Sequence, residues 1–102
     1  MKVTEFRIGN YFLYREKVVL KIKVGDLYYL DKKIYLDNYK PLSITEQWKD
    51  KLKDSPLYID KVGFVIFKNG YNYSFIWEDY PFLHQLQNLY FAVAGEELIF
   101  NN

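Results

Sequence analysis

The chain has 102 residues and is expected to form one domain, residues 1–102, because typical domains run to about 100–150 residues. Half of its residues are hydrophobic and its formal net charge is only +1, a composition that supports a packed core and excludes a disordered chain. The absence of cysteine excludes disulfide bonds, thiol catalysis and cysteine-ligated zinc.

The two ends of the chain carry opposite charge. Residues 1–25 hold six basic and two acidic side chains, a net charge of +4, whereas residues 69–102 hold four acidic side chains and no lysine or arginine, a net charge of −4. Such a chain can present two oppositely charged faces if the fold keeps its ends apart. No long apolar run follows Met1, and no window approaches the roughly 20 apolar residues of a membrane span. We therefore predict a cytoplasmic protein with no signal peptide and no membrane contact.

The first forty residues predict a β-meander. Short strands are expected at Tyr11–Tyr14, Lys17–Val24, Leu27–Leu30 and Lys33–Leu36. Along the second strand, lysines at positions 17, 21 and 23 alternate with apolar residues, which places them on one face. Gly25-Asp26 fits a two-residue turn between the second and third strands. Short strands joined by tight turns are typical of a small, curled SH3-like sheet.

A short helix and a second hairpin follow. Thr45 or Ser43 can cap a helix over Glu46–Lys53, whose apolar stripe consists of Trp48 and Leu52. Asn69-Gly70 is the strongest two-residue turn signal, and it predicts a hairpin of strands 63–68 and 71–77. In that register one face of the hairpin is core. The opposite face, with Val65 and Phe67, is mixed and is either partly covered or available for binding.

The last helix is predicted to begin at Pro81 and to end at Gly95, with a short edge strand over 96–100. Its apolar residues recur at helical spacing: Phe82, Leu83, Leu86, Leu89, Tyr90, Val93 and Ala94. We therefore predict an α+β fold. A small, strongly curved and mostly antiparallel sheet, formed by the SH3-like N-terminal meander and the second hairpin, packs against the C-terminal helix, with one short side helix.

Three segments of the chain match a recurring pattern. Residues 7–11 read RIGNY, residues 41–48 read PLSITEQW, and residues 84–98 read HQLQNLYFAVAGEEL. Together they resemble uncharacterised short proteins of phages and mobile elements from Bacteroidetes-type bacteria, which share an RIGN-Y start and an HQLQNLYFA-x-x-GEEL C-terminal segment. The resemblance implies a mobile-element origin and a bacterial host, and it brings no known reaction with it.

Residue types suited to catalysis are few. The chain has three serines and one histidine, and no serine lies in a Gly-x-Ser-x-Gly elbow. The paired carboxylates, Glu78-Asp79 and Glu96-Glu97, are sequence neighbours that would point to opposite faces of a strand. There is no recognisable metal-ligand spacing and no glycine-rich phosphate loop. We therefore predict that the protein is not an enzyme and that it needs no cofactor or metal.

The flank of the last helix is the first candidate site, with His84, Gln87, Asn88 and Phe91. These residues can bind a partner protein, with Phe91 as the aromatic anchor. Alternatively a second layer such as the first sheet covers this side, and Gln87 and Asn88 hydrogen-bond to its backbone. The second interpretation is favoured, since a small domain rarely leaves two helix faces unused.

The lysine face of the first sheet is the second candidate site, with Lys17, Lys21, Lys23 and Tyr28. Lysines beside an aromatic ring can hold single-stranded nucleic acid, with phosphates on the lysines and bases stacked on the ring. The alternative is a solvated strand face whose lysines discourage edge pairing.

Three functional hypotheses follow. The first is a non-enzymatic phage or mobile-element binding protein, in its most concrete form an anti-CRISPR-like inhibitor of a host defence nuclease or its guide RNA. The second is a nucleic-acid-binding accessory module that acts through the lysine face. The third is a structural protein that forms oligomers through the segment Leu98–Phe100.

Overall fold

The computed structural model describes residues 7–23 and 38–100, which form six strands and two α-helices. The strands are β1 Tyr11–Tyr14, β2 Val18–Lys21, β3 Tyr39–Lys40, β4 Tyr58–Ile59, β5 Gly63–Lys68 and β6 Tyr71–Ile76. The helices are α1 Glu46–Leu52 and α2 Leu83–Ala94, and a 3₁₀ turn, Trp77–Asp79, lies between β6 and α2.

The predicted α+β class is confirmed, but the strands of the described residues divide into two sheets. The first sheet has the order β2-β1-β3 and the second has the order β4-β5-β6, with every pairing antiparallel. Helix α2 contacts β5 of the second sheet and β1 of the first. Because the helix has sheet on two sides, both of its buried flanks are used. The strong curvature expected for one continuous sheet stays a prediction.

The N-terminal strands follow the predicted meander in part. Strand β1 has the predicted bounds, and β2 is shorter than the predicted strand 17–24. Arg15 and Glu16, both with positive φ, turn the chain so that Tyr14 lies opposite Val18. Lys17 therefore belongs to the turn. The predicted turn Gly25-Asp26 and the predicted strands 27–30 and 33–36 lie outside the described residues.

Helix α1 begins after Thr45, one of the two caps that the sequence allowed. The hydroxyl of Thr45 accepts a hydrogen bond from the Trp48 backbone N–H at 3.4 Å, which identifies Thr45 as the N-cap. Ser43 instead forms an isolated β-bridge with Phe82. Trp48 and Leu52 are buried, so the two-residue apolar stripe faces the core as predicted.

The second hairpin has the predicted turn and register. Asn69 and Gly70 have φ values of 52° and 81°, as a two-residue turn of this kind requires. Phe64 lies opposite Phe75 and Ile66 lies opposite Tyr73, with Phe64 and Ile66 both buried. The alternation of this hairpin was therefore sufficient to assign its core face.

Helix α2 begins two residues later than predicted. The carbonyl of Pro81 accepts from the Ile44 N–H at 2.9 Å, and the Leu83 N–H donates to the Leu42 carbonyl at 2.8 Å. The backbone around Phe82 is thereby held in an extended bridge, which delays the helix. Gly95, with φ 76°, ends the helix as predicted.

The end of α2 is completed by the hairpin, and the predicted edge strand after it does not form. The Lys68 ammonium donates to the Ala94 carbonyl at 2.7 Å, a favourable position for a cation at a helix C-terminus. Residues 96–100 pair with no strand. Leu98 is instead buried, and the Phe100 ring packs 5.6 Å from the Tyr11 ring and 6.1 Å from the Trp48 ring.

The main core lies between α2, α1 and the second sheet. Its buried residues are Leu42, Trp48, Leu52, Leu57, Phe64, Ile66, Leu83, Leu86, Tyr90, Ala94 and Leu98. A smaller cluster of Phe12, Ile22 and Tyr39 lies within the first sheet. The two clusters come together where the Phe12 ring lies 4.7 Å from the ring of His84 on α2.

The burial of α2 predicts unequal costs for two leucine truncations. Leu86 is fully buried, so Leu86→Ala should lower the free energy of unfolding by about 2–5 kcal/mol. Leu89 is half-buried, so Leu89→Ala should cost clearly less. Urea denaturation of both variants measures the difference, and equal losses would contradict the orientation of the helix.

Candidate functional site

Gln87 connects α2 to the first sheet through both ends of its carboxamide. Its Oε1 accepts from the Tyr11 backbone N–H at 2.9 Å, and its Nε2 donates to the Gly9 carbonyl at 3.0 Å. The side chain is buried, with a relative exposure of 1%. Because it satisfies one backbone donor and one acceptor, it extends the hydrogen bonding of β1 onto the helix.

Asn10 makes the second set of contacts between the N-terminal segment and α2. The residue is fully buried, and its Nδ2 donates to Asn88 Oδ1 at 3.0 Å. Its Oδ1 accepts from the Arg7 backbone N–H at 2.9 Å, while its carbonyl accepts from the Ile22 N–H at 2.8 Å. Asn10 therefore fixes the turn before β1 as well as its contact with the helix.

Arg7 closes this arrangement at the surface. Its Nε donates to Asn88 Oδ1 at 2.9 Å, one Nη donates to the Gln87 carbonyl at 3.3 Å, and the guanidinium forms an ion pair with Glu97. The Arg7 Cζ also lies 4.5 Å from the centre of the Phe91 ring, a cation–π distance. Phe91 is therefore partly covered by Arg7, although it remains 42% exposed.

These contacts join residues 7–11 to residues 87–97. We call them the motif contact: Arg7, Gly9, Asn10 and Tyr11 on one side, with Gln87, Asn88 and Glu97 on the other. The RIGNY segment and the HQLQNLYFA segment thus bind each other within one chain. The ion pair also brings the basic beginning of the chain to its acidic end, so the two charged ends are not kept apart at this point.

The predicted partner-binding set on α2 is largely internal. His84 and Gln87 are each 1% exposed, and Asn88 is half-buried. The first sheet covers this flank, as the alternative interpretation expected, so His84 and Gln87 are not accessible to a partner in this structure. Only Phe91 offers a large exposed area. The rings of Phe12 and Phe82 lie 4.7 Å and 6.2 Å from the His84 ring.

The predicted nucleic-acid-binding set is partly brought together. Lys17, Lys21 and Lys23 are exposed, but Lys17 lies in the turn before β2 and Tyr28 lies outside the described residues. The ring beside the lysines in the structure is Tyr11, whose centre is 5.8 Å from Lys21 Nζ. A lysine–tyrosine pair therefore exists on this sheet, with a different tyrosine.

An exposed apolar surface lies on the second sheet, on the side of β5 that faces away from α2. We call it the outer face: Tyr58, Val65, Phe67 and Ile76. Tyr58 is 60% exposed, Phe67 is 53% exposed and Ile76 is 42% exposed. The hairpin register predicted Val65 and Phe67 on this side. Tyr58 was missed, because β4 has only two residues and shows no periodicity.

Burial also affects the phenol of Tyr90 on α2. It is buried in the core, and burial raises its pKa, with the negative charge of Glu96 as a second cause. A buried phenol that stays neutral suits a structural position. In the described part of the chain, no cluster of three or more histidine, aspartate or glutamate side chains could hold a metal ion.

No protein-family model, curated protein or solved structure matches this chain. Within residues 7–23 and 38–100, neither helix has the length and apolar character to span a membrane. The exposed surfaces of the described residues are therefore the basis for a functional proposal.

The motif contact predicts a stability effect at Gln87. Gln87→Ala removes the partners of the Tyr11 N–H and the Gly9 carbonyl, so the free energy of unfolding should fall by about 1–3 kcal/mol. Gln47→Ala, at an exposed position of α1, is the matched control and should change it by less than about 0.5 kcal/mol. Urea denaturation compares the two variants, and equal stabilities would show that the carboxamide bonds are not formed in solution.

The raised pKa of Tyr90 predicts a loss of stability at alkaline pH. The unfolded chain ionises this phenol near pH 10, whereas the folded chain holds the proton to higher pH. The contribution of neutral Tyr90 is thus complete below about pH 10 and is lost as the pH rises through the folded-state pKa. Tyr90→Phe cannot ionise and should lose less stability above about pH 10 than the wild type. Urea denaturation over a range of pH measures the free energy of unfolding of both proteins. Equal losses with rising pH would show that Tyr90 does not contribute in this way.

Proposed function

We propose that this chain is a non-enzymatic binding protein that contacts another protein through the outer face. The observation that carries the proposal is the exposure of Phe67, Tyr58 and Ile76 on one side of the second sheet. None of these side chains is charged. Aromatic residues are enriched at the centres of protein interfaces, and charged residues are depleted there. The composition of the outer face is therefore typical of an interface centre.

The strand β5, which presents Val65 and Phe67 on the outer face, is also anchored in the core. Phe64 and Ile66, which alternate with Val65 and Phe67 along β5, are 2% and 0% exposed and anchor the strand in the core. A side chain presented by an anchored strand loses less conformational freedom on binding than one presented by a loop. The outer face is thus suited to bind with little reorganisation.

The concrete form of the proposal is an inhibitor of a host defence nuclease, acting in the cytoplasm of a bacterial host. It is supported by the resemblance of the RIGNY and HQLQNLYFA segments to phage and mobile-element proteins. A small protein without catalytic groups can inhibit an enzyme by covering the surface through which the enzyme binds its substrate or its guide RNA. The step from origin to this role is an analogy.

A second candidate function is binding of single-stranded nucleic acid by the first sheet. It is favoured by the exposed lysines 17, 21 and 23 and by the Lys21–Tyr11 pair. Stacking on an aromatic ring beside lysines is a common mode of single-strand binding. This mode predicts an affinity that falls steeply with salt concentration, because bound phosphates release counterions.

Binding measurements on purified components distinguish the two candidates. Tagged protein captures its partner from a nuclease-treated lysate of a bacterial host, and the captured protein is then purified and titrated. Phe67→Ser should weaken its binding about 30-fold or more, the equivalent of a hot-spot loss of about 2 kcal/mol. If the captured protein is a nuclease, its activity should be inhibited by the wild type and restored with Phe67→Ser.

The matched control replaces Lys17, Lys21 and Lys23 together by alanine and should leave this affinity unchanged. Circular dichroism of both variants verifies the fold, which is expected to persist because all four side chains are exposed. The proposal fails if Phe67→Ser binds like the wild type. In a parallel capture from an untreated lysate, recovery of nucleic acid alone, lost in high salt and abolished by the lysine variant, would establish the second candidate instead.

A further inference from the structure

Strand β6 forms one edge of the second sheet in the described residues. The sheet order is β4-β5-β6, so β5 covers one side of β6 and no described strand covers the other. Five of the six side chains of Tyr71–Ile76 are exposed, and none is charged. A long, uncharged edge strand is a template for pairing with another strand.

The hairpin turn determines which backbone groups of β6 point to this open edge. Lys68 and Tyr71 flank a two-residue turn, so they form a hydrogen-bonded pair, and the N–H and C=O groups of Tyr71, Tyr73 and Phe75 point towards β5. The Trp77 N–H continues the alternation by donating to the Val62 carbonyl at 3.1 Å. By the same alternation, the groups of residues 72, 74 and 76 point to the open edge.

Other strands carry features that discourage pairing, and β6 lacks them. Strand β2, at the end of the first sheet in the described residues, ends in the exposed Lys21, and the exposed Lys23 follows two residues later. Strand β4, at the opposite end of the second sheet, has only two residues. Lysines and short lengths are common ways to protect an edge.

We propose that β6 pairs with β6 of a second copy of this chain, antiparallel and about a two-fold axis at Ser74. Antiparallel pairing through the outward-pointing groups requires even-numbered residues to lie opposite each other, which also keeps matching faces together. Centring on Ser74 places Asn72 opposite Ile76 of the partner subunit. This axis lets all three outward-pointing residues of β6 form hydrogen bonds with the partner strand. Tyr73 then lies opposite Phe75 of the partner subunit, an aromatic cross-strand pair.

A second copy fits this edge because the strand is self-complementary. No like charges meet across the proposed axis, since β6 contains neither acidic nor basic side chains. A two-fold pairing also closes, so it buries the β6 edges of both copies in one dimer and leaves only the two-residue strand β4 at each end of the joined sheet. The two second sheets become one six-stranded sheet. The dimer does not depend on the proposed function, although it would place two outer faces side by side.

Substitutions at Ser74 test the dimer without any partner protein. Ser74→Pro removes an N–H that β5 does not use, and proline is tolerated at an open edge. Ser74→Val keeps this N–H and is the matched control. Sedimentation equilibrium over a range of concentrations should show a monomer–dimer equilibrium for the wild type and Ser74→Val, and a monomer for Ser74→Pro. Circular dichroism should show the same fold for all three proteins.

Cysteine cross-linking tests the position of the axis. The chain has no cysteine, so Ser74→Cys can form a disulfide only between copies. Hydrogen-bonded antiparallel partners lie about 5.5 Å apart at Cα, within the range of about 4.4–6.8 Å that a disulfide spans. Oxidation should cross-link Ser74→Cys much faster than Ser43→Cys, a second exposed serine.

Three results would overturn the dimer: a wild type that stays monomeric at millimolar concentration, a dimer that persists in Ser74→Pro, or equal cross-linking of the two cysteine variants. If the wild type is monomeric but Ser74→Pro weakens binding of the captured partner, the edge accepts a strand of that partner and not a second copy. Loss of partner binding in Phe67→Ser with an intact dimer, or the reverse, distinguishes the proposed function from the dimer.

Discussion

The carboxamide of Gln87 is the interaction on which the arrangement of the two sheets depends. One end of this side chain holds the first strand and the other holds the loop before it, and the side chain itself projects from the helix that forms the main core. Buried amides tolerate little displacement, because a lost partner costs about 1–3 kcal/mol. The neighbouring Arg7–Glu97 ion pair is partly exposed, and such pairs contribute only about 0–1 kcal/mol. The position of the first sheet on α2 is therefore fixed mainly by the buried amide side chains of Gln87 and Asn10.

These contacts change the interpretation of two sequence segments, residues 7–11 and residues 84–98. The flank of the later segment was a candidate binding site, whereas the earlier segment, residues 7–11, was noted only for its pattern. In the structure they are the two halves of one intramolecular contact, in which Asn10 reaches Asn88 and Arg7 reaches Glu97. Their residue types are explained by packing. Exposed aromatic side chains also lie elsewhere, on the second sheet, where Phe67 is 53% exposed and Tyr58 is 60% exposed.

The turns and helix ends that depend on neighbouring residues were largely predictable from the sequence. Asn69-Gly70 specified a turn and therefore a register, and Gly95 specified a helix end, whereas two candidate caps, Thr45 and Ser43, left the start of α1 open. The beginning of α2 was misplaced because its delay comes from a bridge to Ser43, some forty residues earlier in the chain. The division into two sheets likewise depends on contacts between residues about eighty positions apart, and one sequence carries no signal for such pairings.

The candidate site was harder to predict for the same reason. The amides on the flank of α2 are polar residues beside an apolar stripe, and periodicity alone cannot tell whether a polar residue meets water, a partner or a buried backbone group. The mixed face of the hairpin was predicted correctly because alternation on a strand assigns faces directly. The exposure of this face follows from the packing of α2 against the opposite face, and strand alternation does not predict that packing.

The central claim is that residues 7–11 and the C-terminal segment stabilise the fold by contacting each other. The double-mutant cycle of Asn10→Ala and Asn88→Ala tests this claim most directly. Each single variant and the double variant are unfolded in urea, and the coupling energy is the difference between the double loss and the sum of the single losses. Side chains in direct contact should give a coupling of about 0.5–3 kcal/mol. Additive losses would contradict the motif contact.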